Sequence, residues 1–401
     1  HRHCVACKSG GSTQFSRRVI DMAYLTDLLN GFLWMFNFLM LPAITYGSML
    51  ALGALGVTLI FGILRFAHFA HGDMMAFGAM ISLIGVELLN HFGIFTYPVP
   101  AGLLFLPVAM LLTVLLAIGL DQSVYRYYRR MKSPPVVFVM ASIGVMFLLN
   151  GLTRLIKGAE LSKFNARRTF GIEEVDVAAL TEQLGKRAVR TRTDVATKEE
   201  IVQVSEPEFV FFTVRQFKEA TGLSEGFGLD LIQLIMVALA VLIFLGLYWF
   251  LRRTRTGKSM RAFSDNEDLA LLSGIDPQKV VFVTWLIAGS LAAVAGTMYG
   301  LDKGYKPFTY FQMILPIFAA VIVGGIGNPQ GAILGGYLIA FTEIFITANY
   351  RKVANYLLPE PLEVMGNLQL LGTEYKFGVS FLILVLVLLF RPTGIFRGKV
   401  F

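Results

Sequence analysis

Apolar residues fall along this 401-residue chain in runs long enough to cross a bilayer, roughly 20 residues being needed for ~30 Å of hydrocarbon. The runs cover about 24–41, 44–64, 70–90, 98–120, 135–157, 229–251, 281–300, 310–327, 331–349 and 376–391. They predict an all-α integral membrane protein, a polytopic bundle of about 8–10 transmembrane helices, some of them broken. The first run is short, contains Asn30 and Asn37, and stops before Pro42, so it reads either as a crossing or as an interfacial or partial helix. Two longer polar stretches divide the chain. Residues 1–21 form a polar extension, 22–157 the N-terminal helices, 158–228 a large aqueous loop, and 229–401 the C-terminal helices with a polar island at 252–280.

That island carries helix signals at both ends. Ser264 followed by Glu267 has the spacing of a capping box, with the hydroxyl taking an orphan N–H and the glutamate reaching back. Gly274 follows Leu269–Ser273 as a left-handed stop, and Asp276-Pro277 opens the next helix as N-cap and first residue. A capped helix between two spans is a lever that something outside the membrane can push. An amphipathic helix lying on lipid headgroups has the same spacing, so the pattern alone leaves both readings open. Gly257-Lys258-Ser259 has the tail of a phosphate-binding loop, but Arg252 stands where its first glycine belongs, so this chain is expected to bind no ATP itself.

Charge adds orientation. Arg252, Arg253, Arg255, Lys258 and Arg261 crowd one end of the island and mark it as cytoplasmic. With ten crossings, both termini, Arg65, the Arg126–Lys132 cluster and Arg391 fall on that same side, while few cations fall in the short loops opposite. The net charge of +8 therefore reads as topology bias, with no nucleic-acid partner implied. A 55% hydrophobic, 15% charged composition with 34 Phe and 39 Gly excludes a large soluble core. The chain starts at His1, and Met22 is the more natural start, so residues 1–21 are expected to be an upstream extension or a foreign addition. No small-residue cleavage site follows Arg17-Arg18, so no signal peptide is expected. Cys4 and Cys7 beside His1 and His3 lack the second pair that a zinc site needs. In the loop at 158–228, Val175–Leu184 could form a short helix and Val202–Phe217 could fold against a neighbour, with no catalytic pairing present.

Two stretches interrupt the spans themselves. In Gly62–Asp73, the groups Arg65, His68, His71 and Asp73 would sit at membrane depth, where ionisable side chains need water, partners or a substrate. Metal ligation, capping of helix ends and a broken helix lining a path all remain open there, the last making His68, His71, Gly72 and Asp73 candidate path residues. In Val321–Tyr337 a run of glycines surrounds Asn328-Pro329, and Gly325, Gly327 and Asn328 become candidates for a path or gate. Close helix packing explains the same glycines. The run is not a dinucleotide fingerprint, because Gly331 stands one place late and no βαβ unit surrounds it.

Four segments in one order carry a resemblance: Ala70-His71-Gly72-Asp73, the island motif Arg261, Ala262, Asn266, Ala270, Gly274, Ile275, the run Gly324–Gly336, and Arg391-Pro392-Thr393-Gly394-Ile395-Phe396. Together, over about 26–157 and 229–398, the chain resembles the LivH-type permeases of branched-chain amino-acid ABC importers. It departs from them at His68, where asparagine is usual, and in the length of the loop at 158–228. The resemblance implies an inner-membrane transport subunit, not an enzyme, that passes an amino acid delivered by an extracytoplasmic solute-binding protein. It implies a LivM-type second permease and two ATPase subunits that bind ATP and Mg, with no cofactor in this chain and lipid around it. It makes Arg261, Ser264, Asn266, Glu267, Ala270 and Gly274 the candidates for coupling to the ATPases. Urea or a short amide as the solute is the alternative within the family. An ion-coupled secondary transporter is the alternative outside it, and it would need a buried mid-span carboxylate where the sequence offers only Glu343 and Glu87 near predicted ends.

Overall fold

The computed structural model describes residues 25–92, 100–164, 167–171, 189–193, 200–205, 210–212, 217–218, 221–358, 366–391 and 393–396. Readings that fell on 1–24, including Cys4, Cys7 and Met22, and the helix expected at 175–184 lie outside them. Among the described residues, nine helices are long and apolar enough to cross a membrane. In chain order the helices are α1 (Leu25–Leu64), α2 (His71–Phe92), α3 (Leu106–Arg130), α4 (Pro135–Lys157), α5 (Leu231–Arg253), α6 (Arg255–Asp265), α7 (Glu267–Leu272), α8 (Pro277–Lys303), α9 (Pro307–Gly324), α10 (Pro329–Thr347), α11 (Arg351–Leu357) and α12 (Lys376–Phe390).

The first two apolar runs form one helix, which lowers the count from ten. Pro42 has no N–H to continue the α-helical ladder, and the chain widens just before it into a π-turn at Phe36–Met40, closed by Leu41 N–H to Phe36 O. The widened turn absorbs the proline, so α1 runs unbroken for 40 residues. That is about 60 Å, twice the hydrocarbon thickness. Its polar residues are used outside the core: Asn30 Oδ1 accepts from Glu225 N–H at 3.1 Å, and the Asn37 amide donates to Gly226 O. Trp34 and Leu39 meet Val353 of α11 in a small separate cluster. The first half of α1 thus docks on the segments before α5 and after α10.

The bundle is built around α1 and α8. Helix α8 packs against α1, α2 and α3, while α10 packs against α1 and α9, and α12 closes on α9 and α10. Helix α5 lies at the edge, with Leu242, Leu245 and Trp249 exposed, and α12 exposes Phe381, Leu382, Leu389 and Phe390. Such apolar faces suit lipid or another membrane subunit.

The loop at 158–228 adds strands that the helical pattern did not predict. A three-stranded antiparallel sheet runs β1 (Arg167–Gly171), β3 (Glu200–Ser205), β2 (Val189–Thr193), with Arg167 opposite Ser205 and Val189 opposite Val204. A second pair joins β4 (Val210–Phe212) to β5 (Leu229–Asp230). The alternating Val-Arg-Thr-Arg-Thr of 189–193 has the period of two expected of a strand. Among the described residues no strand falls within the candidate membrane spans.

Candidate functional site

The polar island folds as two helices, α6 and α7, with a cap at each boundary. Thr254 caps α6, its hydroxyl oxygen accepting from Gly257 N–H at 3.0 Å. The capping box expected from Ser264 and Glu267 does not form. Ser264 sits inside α6, which runs on to Asp265, so its hydroxyl comes two residues too early. Asn266 takes the role instead: its backbone is extended (φ −153°, ψ 109°) and its Oδ1 accepts from Leu269 N–H at 3.1 Å. Glu267 becomes the first residue of α7, where a negative charge suits the helix N-terminus. Gly274 stops α7 as expected, at φ +78°. Its N–H reaches Leu271 O and the next N–H, of Ile275, reaches Ala270 O, both at 3.0 Å, which is the paired closure of a Schellman motif. Asp276 then caps α8 through Gln278 N–H at 2.9 Å.

This lever has two faces. Met260, Phe263 and Ala270 are buried and seat it on the bundle, whereas Leu269, Leu271 and Leu272 point outward, Leu272 being 85% exposed. Three leucines on the tip of a polar segment form an apolar surface that a partner could cover.

The same end of the bundle gathers two of the other motifs and the start of the broken segment that leads to the third. Arg65 terminates the helical run of α1 in a left-handed conformation (φ 59°), and its guanidinium donates to Ser264 O at 2.8 Å. Between them a pocket of about 170 Å³ is lined by Thr58, Gly62, Met260, Arg261, Ser264, Asp265, Gly327 and Pro329. The lever therefore borders the glycine interruption directly. There, α9 and α10 approach so closely that a Cβ on Gly324 would stand 2.0 Å from Gly331 O, and one on Gly331 would stand 2.1 Å from Gly324 O. Gly327 differs: its φ is +79° and nothing lies within 4 Å of where its Cβ would be. Asn328 caps α10, accepting from Gln330 and Gly331 N–H, and its amide donates to Phe396 O at 3.3 Å. The C-terminal motif closes over the turn, with Ile395 N–H on Val323 O at 2.8 Å and Gly394 against Gly325.

From Arg65 a non-helical segment runs back along α4. Phe66 packs on Phe138, Phe69 N–H donates to Ser142 Oγ, and Asp73 Oδ1 accepts from the Asn150 amide at 2.8 Å. From Phe138 to Asn150 is about 18 Å along a helix axis, so the segment travels within the bundle instead of turning at its surface. Ser142 Oγ also reaches Ala67 O at 3.4 Å, meeting a carbonyl the break sets free. His68 is fully buried, with Nδ1 3.2 Å from the Tyr125 hydroxyl and its ring edge-on to Trp285. His71 is also buried, its ring against Gly56, with neither ring nitrogen hydrogen-bonded. Asp73 Oδ2 is likewise buried without a partner, and Gly72 lies against Tyr310 O. Among the described residues no three of His, Cys, Asp and Glu gather as metal ligands, so the metal reading of His68, His71 and Asp73 has no geometric support.

Two further polar clusters were not anticipated. Asp121 accepts from Trp285 Nε1 at 2.7 Å and forms a bidentate pair with Arg129 at 2.6 and 2.8 Å. The signal was present as an acid eight residues before an arginine at the end of an apolar run; a π-turn at Asp121–Tyr125 sets their alignment. Glu343, read as lying near a span end, is 1% exposed and accepts from the Ser380 hydroxyl, with Tyr46 and Lys376 beside it. It is a buried carboxylate after all.

The Arg65 contact supports a direct prediction. Arg65→Gly keeps the left-handed turn, which glycine adopts freely, and removes only the guanidinium. Membrane abundance should stay near wild type while uptake falls several-fold; uptake equal to wild type would mean the Arg65–Ser264 contact transmits nothing.

A polytopic helical bundle with an intramembrane break, a second broken helix pair and a capped external lever is the architecture of a transport subunit. The chain belongs to the family described as branched-chain amino acid transport system / permease component, which matches residues 39–388. It is 26% identical over 374 residues to the high-affinity branched-chain amino acid transport system permease protein BraD of Pseudomonas aeruginosa, covering 93% of this chain and 95% of the relative. It is 27% identical over 363 residues to the corresponding permease LivH of Escherichia coli K12, covering 89% and 94%. The probable permease LivM of Methanocaldococcus jannaschii matches over 168 residues at 27% identity, 41% of this chain and 46% of the relative. No solved structure matches the chain.

Proposed function

We propose that this chain is a multi-pass inner-membrane permease subunit of an ATP-driven importer of branched-chain amino acids. The observation that carries the reading is the gathering of three sequence motifs at one end of the bundle, with the lever hydrogen-bonded there to the start of the intramembrane break that leads inward to the fourth. Two ABC ATPases, holding ATP and Mg, grip the apolar tip at Leu269, Leu271 and Leu272. Their closure moves α6 and α7, and Arg65 carries that displacement to the segment ending at His71, Gly72 and Asp73. The partnerless oxygen of Asp73 faces the ammonium of a zwitterionic substrate, and apolar walls accommodate its side chain. A LivM-type permease completes the path, in keeping with the partial match to such a protein. An extracytoplasmic binding protein delivers the substrate. ATP hydrolysis belongs to the ATPases, and this chain performs no reaction of its own.

In this reading the lever and the C-terminal end are cytoplasmic. Because α1 is one helix pinned at Asn37 to the segment preceding α5, residue 25 belongs on the outer side, and the expectation of a cytoplasmic N-terminus gives way for the described part of the chain. Sidedness is testable in a background lacking Cys4 and Cys7. Ser205→Cys should react with an impermeant thiol reagent in intact cells, and Asp268→Cys only after the membrane is opened. The reverse pattern would place the lever beyond reach of any cytoplasmic ATPase.

A further inference from the structure

Beside the lever lies a cavity of about 1140 Å³, bounded by the end of α1, the end of α3, the start of α4, α6, α7 and the start of α8. Seven cations line it: Arg65, Arg126, Arg129, Arg130, Lys132, Arg255 and Lys279. Three acids oppose them, Asp121, Glu267 and Asp276, and Asp121 is already committed to Arg129 and Trp285. Arg129 and Arg65 have partners; among the described residues the other five cations form no ion pair or side-chain hydrogen bond. Like charges confined in one recess repel unless an anion enters.

The cavity is not purely polar. Ile118 and Phe282 belong to its wall, and one helical turn deeper into the bundle Leu115 and Leu286 are exposed on α3 and α8. These two helices pack together at Gly289 and Val114, so the exposed leucines flank one seam that leads into the cationic recess. A ligand that fits both features carries a phosphate at one end and hydrocarbon at the other. A protein partner already has its own surface in the outward leucines of α7.

We propose that this cavity binds the headgroup of an anionic phospholipid of the cytoplasmic leaflet, its acyl chains lying along the α3–α8 seam. Basic recesses between membrane helices on that side suit such headgroups. Glu267, Gly274 and Ser259 share the wall with the cations, so an occupied cavity holds α6 and α7 against the bundle and sets the resting position of the lever. The leaflet assignment rests on the reading that the lever is cytoplasmic; the binding chemistry does not.

Native mass spectrometry of the purified full chain, titrated with phosphatidylglycerol or acyl-matched phosphatidylcholine, tests this directly. The wild type should retain phosphatidylglycerol selectively. Joint substitution Arg130→Gln, Lys132→Asn and Lys279→Gln should weaken retention about a hundredfold, from roughly tenfold or somewhat less per cation. Asparagine is chosen at position 132 because that residue has φ 51°. Charge-keeping Arg130→Lys with Lys279→Arg should restore binding, and Arg253→Gln, an exposed cation outside the cavity, should leave it unchanged. Equal retention of phosphatidylcholine, or no effect of the triple substitution, would overturn the proposal. So would displacement of the lipid by micromolar pyrophosphate, which would identify a soluble phosphate as the ligand. Loss of a co-purifying ATPase with lipid retention intact would identify a protein docking surface. Retention is read on the isolated chain, so it stands or falls independently of the transport reading.

Discussion

Gly274→Val should abolish ATP-driven uptake while the protein still reaches the membrane at its normal level. Gly274 holds φ +78° in the Schellman closure of α7, and a β-branched side chain there is disfavoured by about 1–2 kcal/mol or more. Nothing lies within 4 Å of the added Cβ, so the substitution strains the backbone without disturbing packing. A six-residue helix has little stability of its own, and an unfavourable stop of that size unwinds it. A loss of roughly tenfold or more in initial uptake rate is expected, against unchanged abundance by immunoblot. Asn266→Ala, which removes the N-cap, should be milder because a cap contributes about 1 kcal/mol. Full uptake by Gly274→Val at normal abundance would remove α7 from the mechanism.

The glycine interruption gives the second large effect, and the structure divides it into two kinds of position. Gly331→Leu cannot be accommodated, because its Cβ would stand 2.1 Å from Gly324 O, a backbone atom with no freedom to yield. Helices α9 and α10 must separate, with loss of the van der Waals contact that holds membrane helices together, and the expected outcome is failure to accumulate. Gly327→Leu meets no neighbour and strains only a turn at φ +79° that borders Arg261 and Ser264. That variant should assemble into a complex whose ATPases hydrolyse ATP at the basal rate while little substrate is transported. Equal loss of assembly in both variants would reduce the whole run to a packing device. Full transport by Gly327→Leu would free the turn of any part in the path.

Much of this was legible in the sequence because it depends on local chemistry. Asp276-Pro277 and Gly274 fix helix ends through their own backbones, and the structure has them in those roles. The apolar runs gave the helical spans for the same reason. Asn266 was overlooked in favour of Ser264 because both carry capping side chains, and only the length of α6 decides which one stands at the boundary. Pro42 was read as a stop, yet the π-turn at Phe36–Met40 just before it absorbs it, and no pattern in 36–40 announces that. The strands at 167–205 depend on pairing across intervening residues, which hydropathy does not reveal. The burial of Glu343 was not foreseen and Asp121 was passed over, because burial at a helix end is decided by what packs over it, here Ser380 and Tyr46 for one and Trp285 for the other. The gathering of three motifs at one end, with the fourth reached through the broken segment, is likewise a property of the folded bundle alone.

The central claim, that energy enters this chain through α6 and α7 from separate ATPases, is tested most directly at the tip of the lever. With Asp268→Cys as the only cysteine, affinity purification under mild detergent should bring down an ATPase and a second permease, and a short thiol cross-linker should join residue 268 to the ATPase. Cross-linking should respond to ATP, since closure moves the helix. A chain that purifies without an ATPase and yet drives uptake on its own in proteoliposomes, under an ion gradient and without ATP, would contradict the account.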